Sequence, residues 1–364
     1  MKIIITSDIH FGIPNKLDHS MWAAKVIRQY AATNGIDIVL ILGDLFHDRT
    51  SLNIQVLVDV YDFLDDTDRN YGQEWMAFPG NHDMFLKNSW KINSIRPLGR
   101  VIKIIDDIKA ISINGTRFWI LPFVHYESAY MKVVDAISNK ASDDDILLTH
   151  IGVAGAKLNE CFMLKHWSIV DFTNTRFKRV YSGHFHCYQQ VGSKTWYPGS
   201  PIPFRFDEGL VDHGFLVYDT ERGEHDFVNI FTVGKELLPN DTPAPDYITC
   251  IDDHINNANV NGNYVRVCLS RDYTDNELNN IRQSLMDRGA LAIKFMKAIQ
   301  DENTHIQHTA QSKMGDGIKL FEKWVEYDKP DYLDSNKLKE INKTIIEEGF
   351  ERLINAEDTD ASTA

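Results

Sequence analysis

Five times before Tyr188, a short apolar run that reads as a buried strand stops at side chains able to hold a cation. Lys2–Thr6 leads into Asp8-Ile9-His10, and Ile36–Leu42 into Gly43-Asp44-Leu45-Phe46-His47-Asp48. Glu74–Phe78 leads into Gly80-Asn81-His82-Asp83. Ile146–His150 ends in Thr149-His150, and Arg179–Gly183 runs into His184-Phe185-His186. Helical patterns at Trp22–Thr33 and Asn53–Leu64 separate the first three runs. This alternation predicts an α/β domain. In such sheets the loops past the carboxyl ends of the strands form the binding crevice, so segments far apart in sequence meet there.

The side chains at those loops are Asp, His and Asn, with no Cys among them. That set suits Mn²⁺, Fe or Zn at a hydrolytic centre. There are more donors than one ion needs, so two ions are expected. At a separation of about 3.5–4 Å they would share a bridging ligand, clamp a phosphate and generate a hydroxide nucleophile. Asp44, in a Gly-Asp turn after a buried strand, suits the bridge. Each motif alone has an ordinary reading: Gly-Asp and Asn-His-Asp are turn formers, and a single histidine is more often a satisfied core residue. Their joint occurrence in this order is what points to a site.

The ordered set DxH, GDxxx, GNH(D/E), a later His and GHxH resembles the calcineurin-like metallophosphoesterase superfamily over residues 1 to about 220. The resemblance implies a four-layer α/β/β/α sandwich with a dinuclear site. One metal would take Asp8, His10, Asp44 and His186; the other would take Asp44, Asn81, His150 and His184. His82 would sit over the phosphate as general acid or transition-state stabiliser. Gly43-Asp44-Leu45-Phe46-His47 and Tyr197-Pro198-Gly199-Ser200-Pro201 look like the SbcD-type recombination nucleases, in a compact form like the bacteriophage-encoded members. That finer resemblance implies a Mn²⁺-dependent DNA phosphodiesterase (Mg²⁺ or Fe being the other candidates). It implies double-strand exonuclease and single-strand endonuclease action in DNA repair and recombination, with His47 positioning the strand. It also implies a homodimer and a coiled-coil ATPase partner of the SbcC type. Met84-Phe85-Leu86-Lys87, where many relatives have small residues, and the loop from Gly152 to Trp167 depart from the pattern.

Further β-like pieces fall at Val101–Ile105, Ile108–Ile113, Thr116–Leu121, Thr195–Tyr197 and Gly214–Tyr218. The proline-rich stretch Pro239–Pro245 reads as a linker. After it come a strand at Tyr264–Leu269, a capping box at Thr274-x-x-Glu277 that opens a helix, and a strand at Leu291–Ala298. Two amphipathic stripes follow, one carrying Ile318, Phe321 and Val325, the other Leu338, Ile341, Ile345 and Leu353. The expected organisation is a nuclease domain at 1–238, a small α/β capping domain at 246–300, and C-terminal helices at 316–356 that dock the ATPase.

The formal net charge is −14, which speaks against a simple basic nucleic-acid binder. Residues 241–364 carry 14 cationic and 23 anionic side chains, so most of the excess lies at the docking end. Between residues 151 and 200 the balance reverses: Lys157, Lys165, Arg176, Lys178 and Arg179 are candidate DNA contacts. The four cysteines are scattered, and no apolar stretch reaches the roughly 18 residues of a membrane span. A cytoplasmic, nucleoid-associated protein without a membrane partner is expected (in the host cytoplasm for a phage-encoded chain). Two other functions fit the same motifs: a small-molecule phosphodiesterase or phosphatase, and a degenerate phosphoesterase acting as a scaffold.

Overall fold

The computed structural model describes residues 1–297 apart from 15, 87–88, 158–167, 207, 210, 242, 253–254 and 256–257. Lys165 and the helices expected at 316–356 lie outside the described residues. In chain order the elements are β1 (Lys2–Thr6), α1 (Leu17–Thr33), β2 (Ile38–Ile41), α2 (Ile54–Tyr71), β3 (Glu74–Ala77), β4 (Met84–Leu86), β5 (Ser89–Asn93) and β6 (Lys103–Ile104). Then come β7 (Lys109–Ile113), β8 (Thr116–Leu121), α3 (Glu127–Lys140), β9 (Ile146–His150), β10 (Arg179–Gly183), β11 (Gln189–Val191) and β12 (Thr195–Tyr197). The last are β13 (Gly214–Asp219), β14 (Glu224–Asn229), α4 (Ile230–Leu237), β15 (Tyr247–Ile251), β16 (Tyr264–Leu269), α5 (Asp275–Asp287) and β17 (Ala292–Lys297).

Two six-stranded sheets form the centre, ordered β14-β13-β1-β2-β3-β6 and β11-β12-β10-β9-β8-β7. Alternation along each strand decides the layers. Ile3, Ile5, Leu40, Leu42, Met76 and Phe78 share one core with Phe118, Ile120, Ile146 and Leu148 of the second sheet. Their neighbours Ile4, Val39, Ile41, Trp75 and Ala77 face the other way, into a core with Trp22, Val26, Ile27, Val60 and Phe63 of α1 and α2. On the far side Trp119, Leu121 and Leu147 pack against Tyr130, Val133, Val134 and Ile137 of α3. The order is therefore helix, sheet, sheet, helix, the expected α/β/β/α sandwich. Central strands buried on both faces read as unbroken apolar runs.

Differences from the sequence reading have local causes. Helix α1 starts at Leu17, before Trp22, because Ser20 Oγ donates to the Ile9 carbonyl (3.0 Å) and Leu17 and Met21 pack on the core. Helix α2 continues past Leu64 to Tyr71, where Gly72 in the left-handed region (φ 63°) ends it. The sequence reading omitted α3, α4, β4, β5, β11, β14 and β15. Tyr130, Val133, Val134 and Ile137 have the helical spacing that would have marked α3.

Strands β15, β16 and β17 form a separate parallel sheet with α5 beside it and a small core of its own. The capping box is present: Thr274 Oγ1 accepts from the Glu277 N–H, and Glu277 Oε2 accepts from the Thr274 N–H at 2.8 Å. Lys16 ties this sheet to the sandwich, its Nζ lying 2.6 Å from Tyr247 Oη and 2.5 Å from the Phe204 carbonyl. Among the described residues no helix is long and apolar enough to cross a membrane.

Candidate metal centre

Strands β1, β2 and β3 run parallel, as do β8, β9 and β10. Their carboxyl ends deliver the five motifs to one edge of the sandwich. The loops after β1 and β2 lie side by side: the Asp8 N–H donates to the Gly43 carbonyl (3.1 Å) and the His10 N–H to that of Asp44 (3.0 Å). The two sheets meet at Gly183, where a Cβ would stand 2.2 Å from Ser7 Oγ and 2.3 Å from the Leu42 carbonyl oxygen. No larger residue fits there without moving backbone.

Asp8, His10, Asp44 and His184 have positive φ (53°, 52°, 52° and 98°). Non-glycine residues seldom adopt this region. Such strain costs of order 1–3 kcal/mol per residue and collects at functional sites. Here each strained residue presents a donor atom to the same place.

Two nests of donors result. In the first, His10 Nε2 and His186 Nε2 face each other at 3.2 Å, with Asp44 Oδ2 at 3.7 Å and Asp8 Oδ1 at 4.0 Å from His10 Nε2. In the second, Asn81 Oδ1 stands 3.0 Å from His150 Nε2 and 2.8 Å from His184 Nδ1, and Asp44 Oδ2 is 3.3 Å from His150 Nε2. Asp44 belongs to both. His150 Nδ1 lies 2.7 Å from the Leu42 carbonyl, which can only accept, so that nitrogen carries a proton and Nε2 is the one that would give up its proton and lend its lone pair to a cation. Ring nitrogens converging with carboxylate oxygens, buried or half-buried, are a donor set that could hold divalent ions.

The electrostatics follow from burial and from these pairings. Burial would raise the Asp44 carboxyl, but His150 beside it holds it well below the usual carboxylate range. The same contact overrides the burial of His150 and lifts it to about 9. Burial pushes His184 down to about 3, with the charge on His150 adding to the effect. Asp8 is raised by burial, and His10 is lowered by it. Burial and then the nearby Asp44 raise Asp83 to about 6, although the Phe46, Gly80 and Leu45 N–H groups bond to it. Buried carboxylates crowded together need positive charge, and bound cations supply it.

His10, Asp44, Asn81, His184 and His186 line a cleft of about 390 Å³, together with Ile13, His47, His82, Phe185, Phe204, Arg205 and Glu208. The His47 and His82 rings stack at 5.4 Å and 18°. Of the candidate DNA contacts, none that is described lines the cleft. Arg176 pairs with Asp143 (3.0 Å) and Lys178 with Asp144 (3.2 Å). Arg179 donates to the Gly223 carbonyl, and the main chain of Lys157 bonds the Gln189 side chain.

The family model described as calcineurin-like phosphoesterase matches residues 1–188. The chain belongs to that family. Its members hydrolyse phosphoesters with divalent metals, and the nests have the donors for such ions. Among curated proteins the chain is similar to "Putative phosphoesterase 244L" of Invertebrate iridescent virus 6. The two are 27% identical over 233 residues, 62% of this chain and 79% of the relative. "Putative phosphoesterase 078R" of Invertebrate iridescent virus 3 is 23% identical over 237 residues, covering 63% and 66%. Among solved structures, GAP50, the anchor in the inner membrane complex of Plasmodium, aligns with a TM-score of 0.40 at 13% identity, over 67% of this chain and 98% of GAP50.

Three residues of this calcineurin-like phosphoesterase have site positions that the sequence reading gave no role. Asp83 is fully buried and accepts from the Gly80, Leu45 and Phe46 N–H groups (3.0, 3.2 and 3.0 Å), pinning the Gly43-Asp44 and Gly80-Asn81 loops together. Among the described residues, Arg205 is the one Lys or Arg lining the cleft. Glu208 bonds His186. Burial would raise its carboxyl, but His186 and the hydrogen bond to it bring it down to about 2. Asp83 stood inside a recognised motif, whereas Arg205 and Glu208 lie in a loop whose sequence gives no sign of where it folds.

Proposed function

We propose that this calcineurin-like phosphoesterase hydrolyses phosphodiester bonds in DNA, as the nuclease subunit of an SbcCD-like repair and recombination complex. The observation that carries the reading is the wall of the cleft beside the two nests. His47 and His82 stack there, and Arg205 lines the same cleft, so imidazole and guanidinium groups flank the point where a phosphodiester would meet the ions. Asp8, His10, Asp44 and His186 would hold one divalent ion, and Asp44, Asn81, His150 and His184 would hold the other, with Mn²⁺ the ion of choice. Bound there, the ions supply Lewis-acid charge to a phosphoryl oxygen and lower the pKa of water. His82 delivers a proton to the leaving oxygen. His47 and Arg205 position the flanking strand. Recognition of backbone phosphate alone gives little sequence preference.

The residues at 316–356 would dock a coiled-coil ATPase through their apolar stripes, and the nuclease would work as a homodimer. The direct test incubates the chain and Mn²⁺ with linear duplex DNA, single-stranded DNA and para-nitrophenyl phosphate esters, with and without that ATPase. Cleavage of DNA is expected; turnover of the small esters alone would replace the nuclease reading. A small-molecule phosphodiesterase is the second reading. What favours it is the engagement of Arg176 and Lys178 with Asp143 and Asp144, away from the cleft.

A further inference from the structure

Glu208 is 4% exposed. One carboxylate oxygen, Oε1, lies 2.9 Å from His186 Nδ1, and the other, Oε2, accepts the Phe204 N–H at 2.7 Å. An ionised carboxylate has no proton to give, so the bond to His186 requires the proton on Nδ1. The neutral ring then keeps its lone pair on Nε2, the nitrogen that faces His10 Nε2 across 3.2 Å.

The carboxylate is itself held. The Glu208 N–H donates to the Arg205 carbonyl (3.2 Å), and the Glu208 carbonyl lies 2.9 Å from His213 Nε2. The Phe204 carbonyl accepts from Lys16 Nζ (2.5 Å) and Tyr247 Oη (2.9 Å). His186 therefore meets a fixed acceptor behind it, not an adaptable surface carboxylate.

We propose that Glu208 is a positioning residue of the metal centre. It fixes the His186 tautomer and ring orientation, so that Nε2 is ready to ligate in the nest shared with His10, Asp8 and Asp44. The proposal rests on the metal-centre reading above. A carboxylate behind a ligating histidine makes the ring more basic and removes the cost of choosing the right tautomer on binding. Losing such a partner typically weakens metal binding by about 10- to 100-fold. A carboxylate serving only to tie down the Phe204 turn would affect stability and leave ligation alone.

The two roles separate in the metal-free protein and in a metal titration. Long-range ¹H–¹⁵N spectra of the metal-free chain report which His186 nitrogen carries the proton. Electron paramagnetic resonance of free Mn²⁺ counts the bound ions and their affinities. The variants are Glu208→Ala and Glu208→Gln; the second keeps the shape and one acceptor oxygen if the first proves too unstable. The wild type should show the Nδ1–H form and two bound Mn²⁺. Both variants should show a mixture of tautomers and one Mn²⁺ site weakened about 10- to 100-fold, the glutamine variant less so. Folded variants that keep the tautomer and bind both ions with wild-type affinity would overturn the proposal. A wild type that binds no divalent ion would instead overturn the metal-centre reading beneath it.

Discussion

His82 Nδ1 lies 2.6 Å from the main-chain carbonyl oxygen of His47. A carbonyl only accepts, so Nδ1 carries a proton and Nε2 is left as the nitrogen free for chemistry in the cleft that His82 lines. The main-chain N–H of His82 meanwhile donates to Asp44 Oδ1 at 2.8 Å, a bond that any side chain at this position would keep. Chemistry and ligand support are thus divided between the ring and the backbone of one residue. His82→Asn is expected to lower kcat by about 10²- to 10⁴-fold, the usual share of a general acid, with the bound-metal content unchanged. Steady-state kinetics together with metal analysis of the purified variant check this. Wild-type kcat would remove His82 from the mechanism.

Arg205 makes a different prediction because it lines the cleft without belonging to either nest. From the cleft wall its guanidinium would meet a phosphate oxygen of a bound strand. A hydrogen bond to a charged group is worth about 1.5–3 kcal/mol. Arg205→Ala should therefore raise KM for DNA by about tenfold or more, and change kcat little. Para-nitrophenyl esters, which lack flanking phosphates, should show a smaller effect. Equal losses on both substrates would mean that Arg205 contacts the scissile phosphate itself.

Gly80 tests how tightly the centre is built. A Cβ there would stand 2.2 Å from Asp44 Oδ1 and 2.8 Å from His150 Cε1. Both neighbours are buried and engaged, so neither can retreat cheaply. Gly80→Ala should displace Asp44, the donor common to both nests, and weaken both ions together. Divalent ions that bind only the folded state raise its stability by about 2.7 kcal/mol at a concentration of 100 times Kd. Mn²⁺ should therefore raise the melting temperature of the wild type, EDTA should reverse the rise, and Gly80→Ala should show little of it.

What the sequence displays of this molecule is what lies on single strands and in the loops they feed. The alternation of Ile3, Ile4 and Ile5 between two cores needs only a period of two, and the runs ending at Asp8, Asp44 and Asn81 announce their own crevice. Apart from α3, whose Tyr130–Ile137 spacing is readable, the elements that escaped notice are short or lean on distant partners. β4 and β5 expose Phe85 and Ile92, so their pattern carries no clear inside and outside. Glu208 and Arg205 are invisible for another reason. An acid is read as surface unless its partner is known, and the partner here, His186, is placed by a separate strand end. The basic segment shows a different limit. Arg176 and Lys178 read as a phosphate-binding run, and nothing in local composition reports that Asp143 and Asp144 lie beside them.

Asp145 offers a pH-dependent test away from the centre. It stands just before β9, the strand that ends in His150, and its carboxylate gathers four hydrogen bonds. Arg117 Nε and Trp119 Nε1 each donate at 2.7 Å, the Ser142 N–H at 3.2 Å and Ser142 Oγ at 2.5 Å. Burial would raise its pKa, but the bonds from Ser142, Trp119 and Arg117 outweigh burial and hold it below the ordinary 3.8. A folded-state pKa below the unfolded one means that the unfolded chain takes up its proton first as the solution is acidified. The contribution of Asp145 is then complete above pH 3.8 and disappears as pH falls through the lower, folded-state value. Asp145→Ala leaves the Trp119 indole N–H without its acceptor and should cost about 2–4 kcal/mol near neutral pH. That corresponds to a melting temperature lower by roughly 3–5 °C for a chain of this size. Thermal melts of both proteins from pH 7 down to pH 3 should show a constant gap above about pH 5 that narrows below the ordinary carboxylate pKa. A gap that does not change over that range would show that packing at Asp145, and not its charge, anchors the start of the His150 strand.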